Sequence, residues 1–357
     1  MKIEAKSKSG GLKEKLLDRI NSGCYKSGGR IESVRDLAIK FQVSKHTAER
    51  ALSNLVTEGY LYQEQGRGTF FSGNQQKPPR TAGTRFLALH TGIPEINSGE
   101  FINDIIRGCC QAATENQLQM MVYYQDTFEK NLASMRLEDL AGLIMYYHPE
   151  HHSLEYLRKI SQTTKLVLVN NDCPGLNSSL VALDNEKAGR MITDYLIEKG
   201  HRDIGFISWP ADVTSIQERL TGYKISLAAH SIKVSNDLIS FSLKDDQENY
   251  YNTDSCVKEI LKGNKKTSAI ICINDGIATS LSKYLRKNGI RVPDDIAVTG
   301  FGDSVLARFA EVPLTVVEQS GYDMGYAAGK IITDRENSGK QIKRIILEPS
   351  IISRESA

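Results

Sequence analysis

The sequence predicts an α/β chain in two parts: a small N-terminal head of three helices and a β-hairpin, then a larger domain of two doubly wound parallel-sheet lobes. Three observations carry this. Residues 12–71 place apolar side chains at helical spacing and end in two short β-prone arms. Residues 85–357 alternate short apolar runs with amphipathic helical stretches. Between them, 72–84 (SGNQQKPPRTAGT) offers almost nothing to bury and is stiffened by Pro78-Pro79. With 357 residues there is material for two or three domains. The expected boundaries are a head at 1–73, a linker at 74–84 and a two-lobed domain at 85–357.

In the head, Leu12, Leu16 and Ile20 recur every four residues in a segment ending at Asn21-Ser22-Gly23, which predicts the first helix. Leu37, Ala38 and Phe41 mark a second, and Ala48, Ala51, Leu52 and Leu55 a third. The break between them ends in Ser44, whose hydroxyl can cap the third helix, while Val43 can pack into the interhelical angle. This is a helix-turn-helix. Its second member presents Lys45, His46, Thr47, Glu49 and Arg50 away from the apolar stripe, where such helices meet base edges and phosphates. Gly59 is placed to close it. The arms Tyr60–Gln63 and Thr69–Phe71 then enclose Glu64–Gly68, a hairpin whose tip Arg67 is flanked by Gly66 and Gly68. Those glycines let the tip approach a sugar-phosphate backbone, and a guanidinium suits a narrow minor groove.

Charge follows the same division. Met1 to Gly83 holds 15 Lys+Arg against 8 Asp+Glu, a net of +7, leaving −5 for the remainder and +2 overall. A lysine-rich tail explains Lys2, Lys6 and Lys8 but not the patterned Arg35, Lys45, Arg50 and Arg67. The candidate nucleic-acid residues are therefore Arg35, Ser44, Lys45, His46, Thr47, Arg50, Gly66, Arg67 and Gly68.

Residues 12–73 resemble the winged helix-turn-helix of the GntR family of bacterial transcription factors. The marks are Ser33-x-Arg35-Asp36-Leu37-Ala38, Val43-Ser44-Lys45-His46-Thr47, Gly59-Tyr60-Leu61 and Gln65-Gly66-Arg67-Gly68-Thr69-Phe70. The resemblance implies proline at Glu32, arginine at Lys45 and a basic residue at Glu49, so this head departs at three places. A carboxylate at Glu49 faces phosphate badly unless it accepts from a cytosine amino group or pairs with Arg50, and an altered operator preference is expected.

The larger domain reads as strands at Phe86–Leu89, Met120–Tyr123, Gly142–Met145, Leu166–Val169, Ile204–Ile207, Leu238–Phe241, Ala269–Cys272 and Ile296–Val298, separated by helices that include 185–199 and one from about Ser215. From about Arg85 onward it resembles the effector domain of the LacI family, itself similar to periplasmic sugar-binding proteins. The likeness rests on Val181-Ala-Leu-Asp184-Asn185, His201-Arg202-x-Ile204-Gly205-Phe206, Arg219-x-x-Gly222-Tyr223, Ile273-Asn274-Asp275, Pro293-Asp294-Asp295-Ile296, Gly300-Phe301-Gly302-Asp303, Pro313-Leu314-Thr315 and Ser353-Arg354-Glu355-Ser356. It implies three chain crossings between lobes, near 177–184, 311–319 and 343–348, with a ligand cleft between them. A GntR-type head on such a domain is the plan of bacterial sugar-utilisation regulators.

Open α/β sheets bind ligands beyond the carboxyl ends of their strands, which singles out Tyr146, Asn170, Asn274 and Asp303. The resemblance places Asn170 where an aspartate is common, Arg219 and Asn274 where side chains bind sugar hydroxyls, and Gln319 on a crossover facing the cleft; Glu100 completes the candidate set. Amides and a guanidinium suit polyhydroxyl ligands. The alternative for each is a strand-end cap or an interlobe structural bond. The family commonly has two acidic residues after Gly-Phe where this chain has Gly302-Asp303, so either Asp303 takes over or the ligand differs.

Other classes find less support. Six cysteines, at 24, 109, 110, 173, 256 and 272, show no C-x-x-C spacing, favouring reduced thiols in a cytoplasmic protein. His148, His151 and His152 lack the second cluster a metal site needs and read as exposed loop residues. No G-x-G-x-x-G, phosphate loop, nucleophile elbow, signal peptide or membrane span is visible. The rival reading is an α/β enzyme or carrier acting on a small sugar or nucleotide with an accessory DNA-binding head. The expectation is a cytoplasmic, ligand-responsive transcription regulator, a repressor. It acts as a homodimer on palindromic double-stranded operator DNA, with a monosaccharide effector, no cofactor, no metal and no catalytic residues.

Overall fold

The computed structural model describes residues 8–21, 24–26, 28–57, 60–64, 67–71, 85–91, 99–124, 140–149, 152–209, 213–241, 253–263, 266–334 and 341–357. The linker, Gly59, Gly66, His151 and the helix expected after Tyr123 lie outside these residues. The chain divides into two compact units, Met1–Thr84 and Arg85–Ala357.

In the first unit, α1 (Lys8–Asn21), α2 (Val34–Lys40) and α3 (Lys45–Thr57) bury Leu12, Leu16, Ile20, Leu37, Ala48, Ala51, Leu52 and Leu55 together. The caps are local: Ser33 Oγ accepts from Asp36 N–H at 3.2 Å, and Ser44 Oγ accepts from Thr47 N–H at 3.1 Å. Strands β1 (Leu61–Glu64) and β2 (Gly68–Phe71) pair antiparallel, Leu61 opposite Phe71, with both side chains turned into the helices. A third extended segment, unforeseen in the sequence, lies along β2. Gly28 N–H donates to Phe71 O at 2.9 Å, Phe71 N–H to Gly29 O at 2.8 Å and Ile31 N–H to Thr69 O at 2.8 Å.

The second unit contains two six-stranded sheets. The first is built from β3 (Phe86–His90), β4 (Gln119–Tyr123), β5 (Leu140–Tyr146), β6 (Leu166–Val169), β7 (Ser179–Leu183) and, late in the chain, β13 (Arg344–Leu347), in the order β13-β7-β6-β5-β3-β4 and all parallel. It is flanked by α4 (Glu100–Glu115), α5 (Leu154–Thr163) and α11 (Gly321–Thr333). The second sheet holds β8 (Ile204–Ile207), β9 (Ile239–Ser240), β10 (Ala269–Cys272), β11 (Ala297–Phe301), β12 (Thr315–Glu318) and β14 (Ser350–Ile352), in the order β14-β12-β11-β10-β8-β9, with β14 alone antiparallel. Its helices are α6 (Asn185–Glu198), α7 (Thr214–Ala229), α8 (Asp254–Gly263), α9 (Asp275–Lys287) and the single turn α10 (Val305–Arg308). The chain crosses between the lobes after β7, after β12 and after β13, where expected.

Four strands, β7, β12, β13 and β14, were not expected as strands: the first three fall where the sequence marked only crossings between lobes, and β14 was not assigned; among the expected strands, β9 and β11 take other bounds. The run Leu238–Phe241 supplies only Ile239–Ser240, because Asn236–Leu238 closes a 3-10 turn and β9 is an edge strand held on one side. Conversely β11 continues past Val298 through Thr299 and Gly300, since β10 and β12 on its two sides pair its backbone whatever the side chains. Helices α6 and α7 meet through glycines. A Cβ on Gly189 would lie 2.2 Å from Arg219 O, and one on Gly222 would lie 2.0 Å from Glu186 O. This close approach fixes where Arg219 stands.

Candidate nucleic-acid face and effector cleft

On the head, Arg35, Lys45, His46, Glu49 and Arg50 are exposed, as is Arg67 at the hairpin tip. Ser44 and Thr47 are partly spent on architecture: their hydroxyls hydrogen-bond each other at 2.8 Å while Ser44 caps the helix. Glu49 makes no ion pair with Arg50 among the described residues. The unexpected Glu32 has a clear structural part. Its carboxylate accepts from Arg19 Nη1 at 2.8 Å, Tyr25 OH at 2.5 Å and Lys40 Nζ at 2.9 Å, joining α1, α2 and the connection between them. Burial would raise its pKa, but the bonds from Lys40, Tyr25 and Arg19 outweigh burial and hold it at about 2. Nothing within three or four residues of Glu32 foretold these partners.

In the second unit, Arg219, Gln319, Tyr146 and Asn170 come together. The Arg219 guanidinium is 5% exposed and donates through Nε to Asn185 Oδ1 at 2.9 Å, through Nη1 to Ile273 O at 2.9 Å and through Nη2 to Gln319 Oε1 at 3.0 Å. It lies over the Phe301 ring at 4.3 Å. Burial lowers its pKa to about 10, opposed by Tyr146 and Glu218, so it stays charged at neutral pH. Asn170 sits just beyond β6 at φ +66° and donates from Nδ2 to Tyr146 OH at 3.0 Å. Its Oδ1 is buried with no partner among the described residues. Asn185 and Phe301, both inside the motifs of the resemblance, belong to this group although neither was a candidate.

The remaining candidates have their polar groups engaged by the fold. Asn274 Oδ1 caps α9 by accepting from Ile277 N–H at 2.7 Å. Asp303 pairs with Arg354 at 2.7 Å and with Arg308 at 3.7 Å, inside the second lobe. The glycine before it is required by the backbone: Gly302 has φ +101°, and a Cβ there would meet Asp275 and Gln319 side chains at 3.2 Å. Glu100 reaches from the first turn of α4 across to the second lobe, where it accepts from Val305 N–H at 2.5 Å and Arg308 Nη2 at 2.9 Å. A second bridge joins the loop after β6 to the start of α7. There Asp172 N–H donates to Thr214 Oγ1 at 2.9 Å and Asn171 Oδ1 accepts from Ser215 N–H at 3.2 Å.

The histidine expectation is corrected. His152 is 5% exposed and buried against His90, with its Nε2 3.1 Å from His90 Nδ1, because the chain folds the post-β5 loop back over the end of β3. No cluster of metal-ligating side chains occurs among the described residues. All six cysteines are unbridged, and no helix among the described residues is long and apolar enough to cross a membrane.

Residues 8–71 match bacterial regulatory proteins of the gntR family, and residues 193–357 match the periplasmic binding protein-like domain. The chain joins a GntR DNA-binding head to a periplasmic-binding-protein-like domain. Among its relatives, the arabinose metabolism transcriptional repressor of Geobacillus stearothermophilus is 29% identical over 97% of this chain and 96% of its own length. The repressor of that description from Halalkalibacterium halodurans is 27% identical over 97% and 95%. A solved complex of the transcriptional regulator CelR with cellobiose is 25% identical, covers 88% of this chain and 92% of its own, and superposes with a TM-score of 0.68. The GntR-headed chain therefore shares its whole plan with transcription regulators of sugar metabolism.

Proposed function

We propose that this regulator is a homodimeric repressor whose hold on a palindromic operator is set by a neutral sugar bound between the lobes. The observation that carries the sugar assignment is the group Tyr146, Asn170, Arg219 and Gln319. It is built from uncharged amides and a phenol around one internally held guanidinium, with Asn170 Oδ1 left as a buried acceptor. A ligand hydroxyl satisfies such an acceptor and takes the Tyr146 OH in return. The assembled groups suit holding a polyol, and among the described residues no nucleophile and base stand paired there. The repressors named above make a pentose the first candidate, with a disaccharide next, after the cellobiose complex.

Dimerisation is supported by the turn α10 and its neighbour, which expose Val305 at 52%, Leu306 at 57% and Phe309 at 80%. Apolar side chains so exposed and adjacent favour a partner surface. Two heads read enough base pairs to find a site among genomic competitors. Sugar that binds the closed lobes more tightly shifts the population toward closure, and the heads are then held at a spacing that fits the two half-sites less well.

The single tryptophan, Trp209, follows β8 in the second lobe and supplies the assay. L-arabinose, D-xylose and cellobiose are titrated against Trp209 fluorescence, and the fluorescence anisotropy of a duplex selected from a randomised pool on the full-length chain is read alongside. One of the three saturates the fluorescence change and weakens duplex binding over one concentration range. Duplex affinity that stays constant while the fluorescence saturates refutes the allosteric part.

A further inference from the structure

The glycine on the far side of the wing arginine has an occupant. A Cβ built on Gly68 would lie 2.9 Å from Arg30 Nε, 3.2 Å from Arg30 Nη2 and 3.4 Å from Arg30 Cζ. The space that Gly68 leaves open is therefore filled by the Arg30 guanidinium. Arg30 reaches it because the extra segment pairs with β2: Arg30 stands opposite Phe70, which in turn stands opposite Tyr62. Alternation along the strands puts Arg30, Phe70, Tyr62 and Gly68 on one face, while Leu61 and Phe71 point from the other face into the helices. Tyr62 and Phe70 stack at 5.5 Å on that outer face. Arg30 is exposed, and no carboxylate pairs with it among the described residues.

We propose that Arg30 is a DNA-contacting residue of the wing, donating to a backbone phosphate beside the groove that Arg67 enters. The inference rests on the reading of the head as a DNA-binding domain. Its chemistry is that of a guanidinium with no ion pair among the described residues, lying in the space that Gly68 leaves beside the hairpin tip. Such a group meets a phosphate without first giving up an ion pair, and its planar fork matches two phosphate oxygens. Because phosphates carry no sequence information, Arg30 sets register and affinity rather than base preference. Gly68 then has a second reason to be glycine besides its φ of +119°: a side chain there would unseat Arg30.

The test measures full-length wild type, Arg30→Gln, Arg30→Lys and Arg67→Ala against the pool-selected duplex and an unrelated duplex of equal length, over a range of salt concentrations. Arg30→Gln is expected to weaken binding to both duplexes by a similar factor, roughly tenfold at low salt, leaving their ratio unchanged. It is also expected to shrink the slope of log K against log salt by about 0.9, a shrinkage that Arg30→Lys does not show. Hydrogen exchange of the head helices in Arg30→Gln matches wild type. The proposal is overturned if Arg30→Gln leaves the slope unchanged, or if Arg30→Lys and Arg30→Gln lose binding equally. Either result would make Arg30 a packing residue for the hairpin. Failure of the head reading looks different, since wild type and Arg67→Ala would then bind both duplexes alike and without salt dependence.

Discussion

Replacing Arg219 with alanine is expected to destabilise the second unit before it does anything to ligand recognition. The substitution strands Asn185 Oδ1, Ile273 O and Gln319 Oε1, three acceptors at 2.9–3.0 Å from a guanidinium that is 5% exposed. Each costs about 1–3 kcal/mol if left dry, and the lost stacking on Phe301 adds roughly 1 kcal/mol. Water entering from the cleft recovers part of this, so the expected loss is about 3–5 kcal/mol, in the range for breaking one side of a buried charged network. Arg219→Lys keeps the charge but not the fork, and about half the loss is expected. Urea unfolding followed by Trp209 fluorescence reads the second unit directly, because the chain has one tryptophan. The midpoint falls and the slope of free energy against urea stays constant. A loss below about 1 kcal/mol for Arg219→Ala would refute the reasoning, and would mean that the guanidinium is there for the ligand and not for the lobe.

Three further outcomes follow from the geometry. Glu32→Gln removes a carboxylate whose pKa is held at about 2, so the stability it contributes is full above its ordinary pKa and disappears as pH falls from about 4.5 toward 2. After discounting for partial exposure, about 1–2 kcal/mol is expected at pH 7, read as faster amide exchange in α1 and α2, with the difference from wild type vanishing in acid. Glu100→Gln breaks the bridge to Arg308 and Val305. Because both charged side chains are over a third exposed, only a threefold to tenfold loss of sugar affinity is expected in the Trp209 titration, on the order of 1 kcal/mol. Phe309→Glu places a charge on the most exposed large apolar side chain among the described residues and is expected to shift the protein to monomer in sedimentation and to weaken duplex binding, with Trp209 unfolding unchanged.

What could be read from the sequence divides along a physical line. Elements whose signal repeats within one helix or strand were legible: the Leu12, Leu16, Ile20 stripe, the Ser44 cap, the paired arms around Arg67 and the strands β3, β5, β6, β8, β10 and β11, though not the central strands β7 and β12. Features made by pairing across distance were not. The Gly28–Ile31 segment, which makes one bridge beside β2, has one large apolar residue to announce it and is held by backbone bonds to β2. The hub at Glu32 joins Arg19, Tyr25 and Lys40 from three separate segments. His152 read as a surface residue because its neighbours are polar, yet it is buried by His90, 62 residues away. Among the strand-end candidates, the sequence did not tell which side chains would be consumed by the fold, as Asn274 and Asp303 are, and which would stand together, as Asn170 and Tyr146 do.

That last distinction separates the candidate residues into two kinds. Asn274 spends its carbonyl oxygen on a helix cap, Asp303 its carboxylate on Arg354 and Arg308, and Glu100 its carboxylate on the opposite lobe. Each of these groups is already at work holding a lobe together or holding one lobe to the other. Asn170 differs. Its backbone is in the left-handed region, a conformation that costs an asparagine little, and its amide is anchored on one side only, by donation to Tyr146. The buried Oδ1 left over is an acceptor the fold does not satisfy among the described residues, and a buried acceptor without a partner costs about 1–3 kcal/mol. A ligand hydroxyl that removes this cost binds with that much more free energy than one that does not. Asn170→Asp, which restores the residue implied by the resemblance, puts a charge where a neutral amide stands. It is expected to change which hydroxyl pattern is preferred while leaving the lobe closure made by Glu100 and Asn171 in place.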